Sequence, residues 1–198
     1  MKLTSSKFIL LCAIWVTTTL LGTTSCNKNQ STESKDPKEV AEDHNDAKFD
    51  NNGQEKVAQL LVNAQEFNLE TVSLGELAVE RGTTNHVREL GKTMQDHYRT
   101  SINDVAALAK SKTVTIPTSL SDNGQETVKS LSNKTGIEFD KAYADQTVKS
   151  LKDEVSQMEN ASIKSTDSNI REWASNALPT LRMQLDQALT CQAECAKM

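Results

Sequence analysis

Aromatic residues make up only 4% of the 198-residue chain, and it contains just seven glycines and three prolines. That scarcity excludes an all-β sandwich or barrel, which needs aromatic and β-branched faces punctuated by turn residues. Clusters of Lys and Arg are also missing, and the formal charge is −5, so nucleic acid is excluded as a partner. No glycine-rich phosphate loop or nucleophile elbow occurs. Cysteine is scarce, and beyond Cys12 and Cys26 there is one pair, Cys191 and Cys195, too few for a closed zinc site. The residues that fill the middle of the chain, Leu, Ala, Glu, Lys, Gln and Ser, suit helices.

The one long apolar run lies between Phe8 and Leu21, behind Lys2 and Lys7. It is shorter than the roughly 20 residues a spanning helix needs, and it matches the charged and apolar regions of a secretory signal. Thr23-Thr24-Ser25-Cys26 follows, and the whole resembles a bacterial lipoprotein signal, with Thr23 in the place usual for leucine. Residues 1–25 therefore read as a signal peptide and Cys26 as the acylated first residue of the mature chain. Ordinary cleavage near Ser25, leaving Cys26 a thiol, is the alternative. Acylation implies a membrane held through a lipid anchor, since each buried CH₂ contributes about 0.8 kcal/mol.

Residues 26–52 carry only Val40 and Phe49 as large apolar side chains among Asn, Asp, Glu, Lys and Ser. Such a segment buries too little to offset its ordering entropy and reads as a flexible tether, with at most a weak helical turn from Lys38 to Glu42. Stretched out, it would reach about 90 Å.

From residue 53 to 198 the apolar periodicity is helical. Val57, Leu60, Leu61, Ala64, Phe67, Leu74, Leu77 and Ala78 form one stripe, closed by Gly82. Thr83 or Thr84 caps a second helix that runs to about Ser111. A passage with Pro117 and a short helix near residues 123–132 leads to Thr135, which stands three residues before Glu138 in a capping-box pattern. The third long helix follows on Ala144, Val148, Leu151, Val155 and Met158. The fourth carries Ile170, Ala174, Leu178, Leu181, Leu185 and Ala188, with Pro179 marking a kink. Each long helix would measure about 40 Å. Short, long and short connections in that order predict an all-α, ferritin-like four-helix bundle with a crossover containing a short helix.

Glu70, the run Leu74-Gly75-Glu76-Leu77-Ala78, Asp96-His97, Phe139-Asp140-Lys141-Ala142-Tyr143 and Leu178-Pro179-Thr180-Leu181 resemble, in this order, the ferritin-like domain-of-unknown-function family 4142. Its bacterial members are often labelled predicted outer-membrane proteins, which implies an envelope address: an outer-membrane lipoprotein facing the periplasm or the surface. The resemblance implies the fold and assigns no activity. It also implies histidines eight residues after the tyrosine and six after the first leucine of Leu-Pro-x-Leu; here Leu151 and Gln184 stand there. Ferritin-type centres also need Glu-x-x-His on two helices, and Met94 stands three before His97.

Glu70, His97 and Gln184 thus form a candidate polar core or a reduced metal site, with Glu66 or Glu154 as further ligands. Cys191 and Cys195, four apart at the end of the last helix, are a candidate labile disulfide or thiol-redox pair, with two free thiols or a soft Cu(I) or Zn site with Met198 as the alternatives. The primary reading is a non-enzymatic envelope lipoprotein that binds a protein partner of unknown identity or serves stress tolerance. It needs no cofactor. The alternative is a metal-binding or redox protein built on Glu70 and His97.

Overall fold

A computed structural model describes residues 35–198, so the leader, Cys26 and the first part of the tether lie outside the described residues. Six helices follow in order: α1 (Pro37–Asp46), α2 (Asn52–Arg81), α3 (Asn85–Ser111), α4 (Asp122–Ser132), α5 (Gly136–Lys164) and α6 (Ser168–Ala196). Among the described residues there is no strand. α2, α3, α5 and α6 are the four long helices anticipated, and their apolar stripes meet in one core with Leu61, Met94, Tyr143, Leu151 and Ile170 fully buried.

α2 and α3 form one hairpin and α5 and α6 the other. The α2–α3 hairpin packs closely because two glycines face each other. A Cβ on Gly75 would sit 2.7 Å from the Gly91 carbonyl oxygen, and one on Gly91 would sit 2.7 Å from Ala78 Cβ. The glycine of Leu74-Gly75-Glu76-Leu77-Ala78 is there for helix contact.

The hairpins are joined at one end by Asp140, which is 0% exposed. Its two carboxyl oxygens accept the backbone N–H groups of Thr83 (2.8 Å) and Thr84 (2.9 Å), in the turn between α2 and α3. Those donors stand at the positive N-terminal end of α3, where a carboxyl group is favoured. The start of α5 is therefore fixed beside the end of α2. The chain leaves α3 at the opposite end of the bundle, so residues 112–135 must climb its whole length. On the way the Ser121 N–H and hydroxyl both donate to buried Glu66, and Arg81 donates to the Ser132 carbonyl. This is the crossover of a ferritin-like bundle.

Two expectations need correction. The flexible tether does not extend to residue 52, because α1 is folded and packed. Asp36 caps it, Pro37 opens it, and Ala41, Asn45 and Phe49 are buried. Asn45 explains the order: its side chain donates to the Thr115 carbonyl and accepts from the Thr115 N–H, both at 2.8 Å, pinning α1 to the crossover. Thr135 makes no side-chain cap; Gly136 enters α5 with φ of 59°, and the capping box does not form. α6 runs as one helix through exposed Pro179.

Asp140→Ala leaves two N–H groups at a buried helix start without acceptors. It should lower the unfolding free energy by about 3 kcal/mol or more. Asp140→Asn, which retains one acceptor oxygen, should lose roughly half as much. Urea unfolding followed by far-UV circular dichroism measures both.

Candidate functional site

The three residues singled out for a polar core do not form one hydrogen-bonded cluster. Glu70 is half-buried and accepts from Gln146 Nε2 at 3.0 Å; burial, opposed by that bond, raises its carboxyl above the usual range. Gln184 is 2% exposed and accepts the Tyr98 hydroxyl at 2.5 Å. His97 is exposed, with its ring edge-on to Tyr98 at 4.9 Å between centroids. Leu151, in the place of an implied histidine, is 1% exposed in the core. Among the described residues no group of three or more His, Cys, Asp or Glu side chains is placed to hold a metal ion.

His97 does border something else. Next to it, α2, α3, α5 and α6 leave a cleft of about 360 Å³. Phe67, Val105, Met158, Trp173 and Leu181 supply apolar walls, interleaved with polar side chains such as Asn68, Ser101 and Asn176. Tyr98 is held in the wall by an edge-on contact to Phe67 at 5.0 Å and by its bond to Gln184. Burial, then the nearby Glu154, pushes its phenol upward, so it remains protonated.

Two polar groups in the cleft are incompletely bonded within the protein. Glu154 is 4% exposed, and its one hydrogen bond among the described residues is a long one from Gln157 Nε2, at 3.5 Å. No lysine or arginine lines the cleft among the described residues, and burial pushes the Glu154 carboxyl up to about 7. Asn68, on α2, is 3% exposed; its Oδ1 accepts from Ser101, and its Nδ2 has no partner. Buried amides in folded proteins are almost always bonded, so an orphaned donor lining a cleft calls for an explanation. The remaining titratable neighbours come from α3: Tyr98, His97, whose imidazole burial lowers, and Asp104, whose charge opposes that shift. α2 and α6 contribute no titratable group to the lining.

Glu154 lies on α5 three residues beyond Leu151, and hence on the same face one turn along. That spacing is available in the sequence, where Glu154 reads only as a further ligand beside Glu70 and His97. Asn68 carried no signal in the sequence. Its orphaned amide becomes visible only once the helices are packed.

Cys191 and Cys195 stand as free thiols, 4% and 1% exposed. Burial, reinforced by neighbouring Cys195, pushes the Cys191 thiol up to about 12, and burial also raises Cys195. Reactive cysteines have depressed values, so these two pack as small apolar side chains.

The bundle and its cleft define a ferritin-like helical domain without a ferritin-type metal centre among the described residues. The family model described as a domain of unknown function (DUF4142) matches residues 41–190, and the chain belongs to that family. No curated protein and no solved structure is similar enough to the chain to match it.

A carboxyl raised from 4.5 to about 7 holds its proton more tightly in the folded state than in the unfolded one. The resulting stability is fully present below the unfolded value and is lost as pH rises through the folded one. The span corresponds to about 3 kcal/mol. Glu154→Gln should therefore flatten the decline in unfolding free energy between about pH 5 and pH 8, and gain on the order of 2–3 kcal/mol at the upper end. Urea titrations of both proteins at the two pH values measure this as a double difference. An unchanged slope in the variant would assign the decline to other groups.

Proposed function

We propose that this DUF4142 chain is an envelope lipoprotein, anchored through acylated Cys26, whose helical domain is a binding module rather than a catalyst. The leader and the Thr23-Thr24-Ser25-Cys26 run support the anchor. No helix among the described residues is long and apolar enough to cross a membrane, so attachment through Cys26 would rely on lipid. The observation that carries the binding reading is the cleft, which sets apolar side chains beside Glu154, held by one long hydrogen bond, and Asn68, whose Nδ2 has no partner. That combination is typical of a ligand site. It supplies no activated nucleophile and no base held by an orienting partner, which a catalyst would need.

The outer membrane is the proposed address, with the domain facing the periplasm or the surface. A service in stress tolerance would follow from what the cleft retains or delivers.

The anchor is tested on protein extracted from membranes. Its intact mass should equal the chain from Cys26 onward plus a diacylglyceryl group and an amide-linked acyl chain. Cys26→Ser should move the protein into the soluble fraction. An unmodified Cys26 in membrane-derived protein would overturn the anchor.

A further inference from the structure

We propose that the cleft between α2, α3, α5 and α6 binds a small organic ammonium, with its nitrogen on Glu154 and a neighbouring hydroxyl or carbonyl on Asn68. The inference rests on the binding-module reading and is independent of the lipid anchor.

The sign of the ligand follows from the lining. Its acidic groups are Glu154, deep in the cleft, and Asp104, exposed at the edge, and no lysine or arginine lines it among the described residues. An anion would meet two carboxyl groups and no permanently charged cation. A metal ion would need several hard ligands at once, and no such group is placed for one among the described residues.

An ammonium on an apolar body matches the rest. Phe67, Tyr98 and Trp173 present aromatic side chains to the cleft, and such rings attract organic cations. The charged nitrogen would give Glu154 the partner it lacks, and a buried charge becomes tolerable once paired and hydrogen-bonded. Asn68 narrows the class further. Its Nδ2 is a donor, so a bare alkylammonium would leave it orphaned, while an amine with an adjacent oxygen acceptor would satisfy both groups. A volume of about 360 Å³ suits a small molecule rather than a peptide or a lipid.

The protonation of Glu154 gives the site a direction in pH. Free, its carboxyl titrates near 7 because of burial, so a cation binds best when the proton has left, and binding should release protons below that value. The groups facing it reinforce this sense. Tyr98 stays protonated throughout, and His97 becomes cationic on acidification and would then repel an ammonium.

The test is isothermal titration calorimetry on the whole purified chain in detergent. Three ammonium probes are used, n-hexylammonium, tryptamine and 2-amino-1-phenylethanol, against neutral 1-phenyl-1,2-ethanediol and anionic mandelate. At about pH 8 the amino alcohol should bind one per chain and more tightly than hexylammonium, with affinity falling about tenfold or more at about pH 5.5. Glu154→Gln should remove at least about tenfold of the affinity at the higher pH while the circular dichroism spectrum is retained. Asn68→Leu should erase the advantage of the amino alcohol over hexylammonium. Binding of the diol or mandelate in place of the amines would overturn the ammonium assignment and leave the binding-module reading standing. Silence from all five probes would overturn both.

Discussion

The bundle depends on one carboxyl group. Asp140 begins α5, and its two oxygens close on consecutive backbone N–H groups in the α2–α3 turn, tying one helical hairpin to the other. The N-terminal N–H groups of a helix have no partners within it, and burying them without acceptors is costly. Asp140 answers that need from another hairpin, so helix capping and tertiary assembly are the same contact. The rest of the connectivity follows. With the start of α5 held beside the end of α2, the crossover has to traverse the bundle, and it is secured along α1 and α2 by Asn45 on Thr115, Glu66 on Ser121 and Arg81 on Ser132.

Against that background the three buried carboxyl groups among the described residues differ in kind. Asp140 has two backbone donors, and Glu66 has the amide and hydroxyl of Ser121 at the N-cap of α4. Both act as structural pins. Glu154 has only a marginal bond from Gln157, in a wall of apolar side chains. An amide or an apolar residue there would be less costly to bury at neutral pH. Folding stability does not account for Glu154; the proposed ligand would, by pairing its charge.

Much of the fold was legible because helical periodicity and turn chemistry are local. The four stripes, Gly82 at the end of α2, Thr84 as a cap and the long connection between the second and third long helices could all be read along the chain. α1 was hidden because its stability is not local. Its sequence is polar, and it is held by Asn45 meeting a backbone group 70 residues away and by Phe49 reaching the shared core. The site was half legible for a similar reason. Periodicity places residues on a face, but neighbours on a helix differ by about 100° in direction, which is enough to send Tyr98 inward and leave His97 at the edge. Gln184 then meets Tyr98 instead of His97. Which polar atoms end without partners, as Asn68 Nδ2 does, depends on four helices at once.

The resemblance to the family implies histidines at residues 151 and 184, both buried in the bundle core. In this chain Leu151 and Gln184 close that region, the one by packing and the other by accepting the Tyr98 hydroxyl. The ionisable group on the same face of α5 stands one turn further along, a rise of about 4.5 Å. There it meets a cleft instead of a sealed core. An enclosed core site selects for ions that surrender their water to a full ligand shell. A cleft with a buried carboxyl, a second carboxyl at its edge, an amide donor and aromatic walls would select for a molecule that brings its own apolar surface. On this scaffold, a polar group moved by a single turn would exchange a site suited to a metal ion for the small-molecule site proposed above.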